Sequence, residues 1–141
     1  MADNVISIIR KGLAETISRS GIYCVEYEEA QLPKPPCATI QLDTGSAADF
    51  DQQYGWRSLS FKLRNYRAMG ASVRQCDSLL DQDMTLILHA LGTNRTLDNR
   101  VIDVTVQGFS RLYDSNPAPK YAWCEWRIEV IPYANLGHDN D

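Results

Sequence analysis

The stretch Tyr121–Ile131 constrains the fold more than any other part of the chain. Ala122, Cys124, Trp126, Ile128 and Val130 alternate with Trp123, Glu125, Arg127 and Glu129. A period of two over that length belongs to a strand with one face in a core and the other open to water. Such a strand needs neighbours to complete a sheet and a second layer to cover its apolar face. The rest of the chain must supply both.

Two segments carry the helical period. In residues 4 to 18, Ile6, Ile9, Leu13 and Ile17 recur at spacings of three and four, and Asp3 or Asn4 can cap the first turn. Ser20-Gly21 ends that helix, with Gly21 free to turn left-handed. In Ala71 to Leu91, Val73, Cys76, Leu80, Ile87 and Leu91 share a stripe that Met84 and Leu88 widen. Ser72 and Gln75 have capping-box spacing there, and Gly92 is read as the stop.

Four further segments read as strands: Ile22–Glu28, Ala38–Asp43, Arg57–Arg67 and Val101–Phe109. In the third, Leu59, Phe61 and Leu63 face inwards, and Ser60, Lys62 and Arg64 face outwards. In the fourth, Ile102, Val104 and Val106 are assigned to the core. Pro33, Pro35 and Pro36 make a stiff connection after the first strand. Thr93 to Asn99 reads as a polar turn, and Leu112 to Pro119 as another. The expected fold is α+β: an antiparallel or mixed sheet of about five strands, covered by an N-terminal helix and a long central helix. Residues 1–141 are read as one domain, with a flexible tail at 133–141.

Residues 43–56 fit neither period. They are polar, contain Gly45 and Gly55, and hold three separated aromatics, Phe50, Tyr54 and Trp56. The expectation is a long loop that orders against a partner.

Composition narrows the function classes. The 141 residues carry 14 basic and 18 acidic side chains, a net charge of -4, so nothing global draws the chain to nucleic acid. The start, MADNVISIIRKGL, is broken by Arg10 and Lys11 and is read as neither a leader nor a membrane span. The expected setting is therefore cytoplasmic, with Cys24, Cys37, Cys76 and Cys124 free rather than paired in two disulfides. Asn94-Arg95-Thr96 matches a glycosylation signal and is read as a polar turn.

Catalytic motifs are missing. His89 has no carboxylate at i+4 on its helix, His138 lies in the tail, and Asp49-Phe50-Asp51 and Asp81-Gln82-Asp83 do not continue as calcium loops. The scattered glycines form no phosphate cradle. No metal and no cofactor is expected, and the chain is read as no enzyme. Asp103 and Glu125 are read as salt-bridged decoration. Arg57, Lys62, Arg64 and Arg67, with Tyr66 among them, form a basic strand, so a nucleic-acid-binding module is the alternative function. The aromatics point elsewhere. Phe50, Tyr54 and Trp56 in the loop and Trp123 on the outer face suit a protein interface, with Lys62 and Arg64 meeting an acidic neighbour.

The order of segments resembles a known family, the tail terminator and tail-completion proteins of long-tailed bacteriophages. The resemblance runs through VISIIRKGLAETI, YCVEYEEAQLPKPP, RSLSFKLRNYR, SVRQCDSLLDQDMTLILHAL, VIDVTVQGF and WCEWRIEVI. It lies in layout, for the family has no sharp motif and no catalytic residues. It implies a virion structural protein, assembled in the host cytoplasm, that forms a ring with copies of itself, commonly a hexamer. Such a ring caps the tail tube protein, stops tube polymerisation and joins a head-completion or neck protein. Genomic DNA passes through the lumen without specific recognition, and no membrane is involved. The resemblance places an extended subunit contact in the 43–56 loop.

Overall fold

A computed structural model describes residues 4–27, 33–69, 72–114 and 120–133. The elements are α1 (Val5–Ser18), β1 (Tyr23–Val25), β2 (Cys37–Phe50), β3 (Gln53–Ala68), α2 (Val73–Thr93), β4 (Asp103–Tyr113) and β5 (Tyr121–Ile131). The strands form one sheet in the order β1-β2-β3-β5-β4. Only β1 and β2 run parallel; the other neighbours are antiparallel. The α+β class and the mixed five-stranded sheet with its two helices agree with the sequence expectation.

Both helices lie on the same face. Ile9, Leu13 and Ile17 of α1 and Cys76, Leu80, Ile87 and Leu91 of α2 are buried in one cluster with Phe61, Leu63, Trp126 and Ile128. Each start is fixed by a side-chain oxygen. Asn4 Oδ1 accepts from the Ser7 amide at 2.8 Å, and Ser72 Oγ accepts from the Gln75 amide at 3.1 Å. Gly21 has φ +98°, the left-handed position expected after α1.

Several sequence expectations need correction. Gly92 does not stop α2, which continues to Thr93 and is capped at Asn94; a lone glycine lowers helix propensity without breaking the bond ladder. Val73 and Leu88, assigned to the buried stripe, are exposed. Ile102 is also exposed, because it precedes β4 rather than belonging to it. Strand β4 runs on to Tyr113, beyond the expected end at Phe109. The tail reading at 134–141 lies outside the described residues.

A bulge explains the second half of β4. The register shifts between Val106 and Gly108, so Phe109, Arg111 and Tyr113 become partners of Trp126, Cys124 and Ala122 on the helix-covered face. Arg111 then reaches α2, donating to Asp77 at 3.0 Å and Asp81 at 2.7 Å, and the Tyr113 hydroxyl donates to Asp77 at 2.8 Å. Asp77 holds the Tyr113 hydroxyl above its ordinary pKa by accepting that hydrogen bond.

The link from α2 to β4 closes over α1. Leu97, Asp98 and Asn99 all have positive φ, and Leu97 is fully buried. Gly12 makes room for it: a Cβ there would lie 3.1 Å from Leu97 Cβ. Arg19 pairs with Asp98 at 2.7 Å, and Arg100 with Glu15 at 2.9 Å, on either side of that contact. The hydrogen bond from Arg19 holds the Asp98 carboxyl below its usual range. A lowered folded-state pKa contributes stability above the unfolded value, and that contribution is lost as pH falls through the folded value.

Candidate assembly interface

Residues 43–56 are not a loop. They form the distal part of a β-hairpin whose register continues from Thr44↔Ser60 through Ala47↔Trp56 to Phe50↔Gln53. The turn is Asp51-Gln52, and both residues have positive φ, +57° and +71°. This is the two-residue geometry whose twist matches the flanking strands. Gly45, Ser46, Ala47, Ala48 and Asp49 have weak strand propensity, and register shifts fall at Leu42/Thr44 and Ser46/Ala47. Low propensity and broken alternation together hid the strands from the sequence pattern. Replacing Gln52 with glycine removes the cost of a left-handed non-glycine residue. The variant Gln52→Gly is expected to gain up to about 1 kcal/mol, read as a higher urea midpoint at unchanged slope.

The hairpin outruns the sheet. Strand β5 meets β3 only from Leu59 onwards, and β1 meets β2 only at Cys37–Thr39. Among the described residues, the part beyond Leu59 is therefore a two-stranded ribbon, unpaired on both long edges. Its strands span roughly 17 Å at the usual rise. Hereafter it is the arm.

The expected interface aromatics divide along the arm. Trp56 sits at its root and packs against the core. A Cβ at Gly45 would lie 2.9 Å from Leu59 Cδ2 and 3.2 Å from Trp56 Cζ3, so the absence of a side chain lets that ring settle. Phe50 adjoins the turn and is half-buried. Tyr54 is 80% exposed. Arg57 is the extra residue of the second bulge; it is exposed and has no carboxylate partner among the described residues.

The outer face of the sheet holds the other expected residues. Arg64 Nε donates to Glu125 at 2.8 Å, and Lys62 Nζ lies 4.0 Å from Asp43. Lys62 is directly opposite Arg127, an exposed like charge. Trp123 is half-buried and tilts against Tyr66 with ring centroids 5.6 Å apart. Its indole Nε1 is buried with no hydrogen-bond partner among the described residues. Thus Trp123 packs partly on its own sheet, well apart from the arm in register.

The same geometry bears on the basic strand. Tyr66 is buried, which removes it as a stacking platform for a base. Arg67 turns to the helix face and donates to Asp83 through Nε at 2.6 Å and Nη2 at 3.0 Å. Asp83 is only 2% exposed. The sequence reading missed this pair, although both positions keep the parity of their buried neighbours.

The four cysteines are free and buried. Burial pushes the Cys37 thiol up to about 11 and raises the other three as well. A thiol reacts as its thiolate. Ellman's reagent at pH 8 is expected to label essentially none of the cysteines in the folded protein and all four after denaturation without reductant. Among the described residues, no group of three or more His, Cys, Asp and Glu side chains is arranged to hold a metal ion. His89 lines a polar cleft with Arg19, Asn94 and Asp98 between the helices.

No protein-family model matches the chain, and no curated protein matches it.

Proposed function

We propose that the chain is a ring-forming virion subunit, a tail terminator or a close neck relative. The arm is the observation that carries this reading. A two-stranded ribbon is marginal in water by itself. Among the described residues, this one carries an unpaired backbone on both edges and an exposed tyrosine, and a neighbouring subunit would cover both. A contact between an arm on one copy and a different surface on the next is heterologous, and its repetition closes a ring when the rotation allows.

The mechanism is geometric. The ring seats on the last layer of the tail tube and covers its growing surface. Its other side receives the head-completion or neck protein. The lumen passes DNA without gripping it, and the net charge of -4 per copy suits a wall that repels phosphate. Lys62 and Arg64 already face carboxylates of their own sheet, which agrees with a role against protein rather than DNA.

The reading is tested by electron microscopy of particles from a phage lysate in which this gene is disabled. Tubes of uncontrolled length and unjoined heads are expected. Tails of normal length, joined to heads, would contradict it.

A further inference from the structure

The second half of the contact can be placed, resting on the ring reading above. Strand β4 closes one side of the sheet, and among the described residues nothing pairs with its outer edge. Exposed edges are templates for another strand unless something blunts them. Here the bulge at Val106/Gly108 interrupts the ladder, leaving Phe109–Tyr113 as an uninterrupted five-residue edge.

Beside that edge, α2 and β4 stand apart over a groove of about 390 Å³, lined among others by Asp81, Met84, Leu88, Phe109 and Trp126. Leu88 and Phe109, which both line this groove, are each 53% exposed. Gly108 leaves the rim open, since a Cβ there would meet nothing within 4 Å. Asp81 stands at the same groove with its side chain 69% exposed, one of two carboxylates sharing Arg111.

The arm offers complementary features. Gln53–Ser58 has a free edge of matching length. Tyr54 is exposed, and Arg57 is a cation without a carboxylate partner among the described residues. Tyr54 and Arg57 are three residues apart, about 10 Å along a strand. Leu88 and Asp81 are seven residues apart, also about 10 Å along a helix. The bulge at Arg57 takes that side chain out of strict alternation, so it and Tyr54 need not face opposite ways.

We propose that the arm of one copy adds Gln53–Ser58 to the β4 edge of the next. Tyr54 enters the α2/β4 groove against Leu88 and Phe109, and Arg57 meets Asp81. Main-chain pairing supplies affinity, and the groove and the ion pair set register.

Two experiments test the placement. The first puts Tyr54→Cys and Leu88→Cys in one chain and oxidises it mildly; the native thiols are buried and contribute little background. A ladder of disulfide-linked multimers on a non-reducing gel is expected, and a mixture of the two single variants should give a cross-linked dimer. Oligomers of unchanged mass without a ladder would overturn the docking site and leave the ring reading standing. A disulfide within one chain would place the arm on its own groove and overturn the proposal. Failure of the unmodified chain to associate at any concentration would remove both readings. The second experiment exchanges charge. Arg57→Asp and Asp81→Arg should each raise the concentration for half-assembly about tenfold, and the double variant should recover most of the loss. Additive losses in the double variant would overturn the ion pair.

Discussion

Trp126→Ala should destabilise the protein by about 3–5 kcal/mol, whereas Arg127→Ala, one residue on, should change stability by less than about 0.5 kcal/mol. Trp126 is buried between the sheet and α2, and its ring lies 5.8 Å from that of Phe109. Its Nε1 donates to Asn65 Oδ1 at 2.6 Å. Truncation opens a cavity and also removes the hydrogen bond that Asn65 Oδ1 accepts, from a buried amide whose Nδ2 has no partner among the described residues. Arg127 projects from the opposite face into water. Urea unfolding of the two variants checks this. Equal midpoints would contradict the assignment of faces on β5.

The second large effect belongs to Asp83. Removing one partner of a buried ion pair leaves the other charge without compensation. Asp83→Ala strands the Arg67 guanidinium, which has most of its surface buried between β3 and α2. The expected loss is about 3 kcal/mol. Replacing both residues, as Arg67→Met with Asp83→Leu, should recover most of that loss, because an apolar pair carries no desolvation cost. A double variant as unstable as Asp83→Ala would show that the pair contributes more than mutual neutralisation.

Those two residues also show what the sequence could have disclosed. Asp83 falls on the stripe Cys76, Leu80, Ile87, Leu91, at spacings of three and four from its neighbours. Arg67 keeps the inward parity of Leu59, Phe61 and Leu63. A charge on each of two apolar faces that must meet implies a buried pair, and alternation alone was enough to find it. The helices and β5 were legible because their buried residues keep one period over most of each element. Strand β4 was legible only as far as Gly108, where the bulge reverses which side chains face the helix. The arm was not legible at all. Its strands are built from glycine, serine, alanine and aspartate, its register shifts twice, and its turn uses Asp-Gln where Asn-Gly would have announced a hairpin. The three aromatics divide: Trp56 packs on the core, Phe50 is half-buried beside the turn, and Tyr54 stands exposed.

The central claim is that the arm drives self-association. It is tested most directly by the mass in solution of two proteins, measured by sedimentation across a range of concentrations. One is the intact 15.9 kDa chain. The other has Asn-Gly joining Ala47 to Trp56, which are direct partners in the hairpin, so a two-residue turn fits between them. This removes the distal arm and keeps Trp56 on Gly45. The intact chain should form a closed particle whose mass is a fixed multiple of the subunit, and the shortened chain should remain a folded monomer. A shortened chain that assembles to the same mass as the intact one would contradict the account.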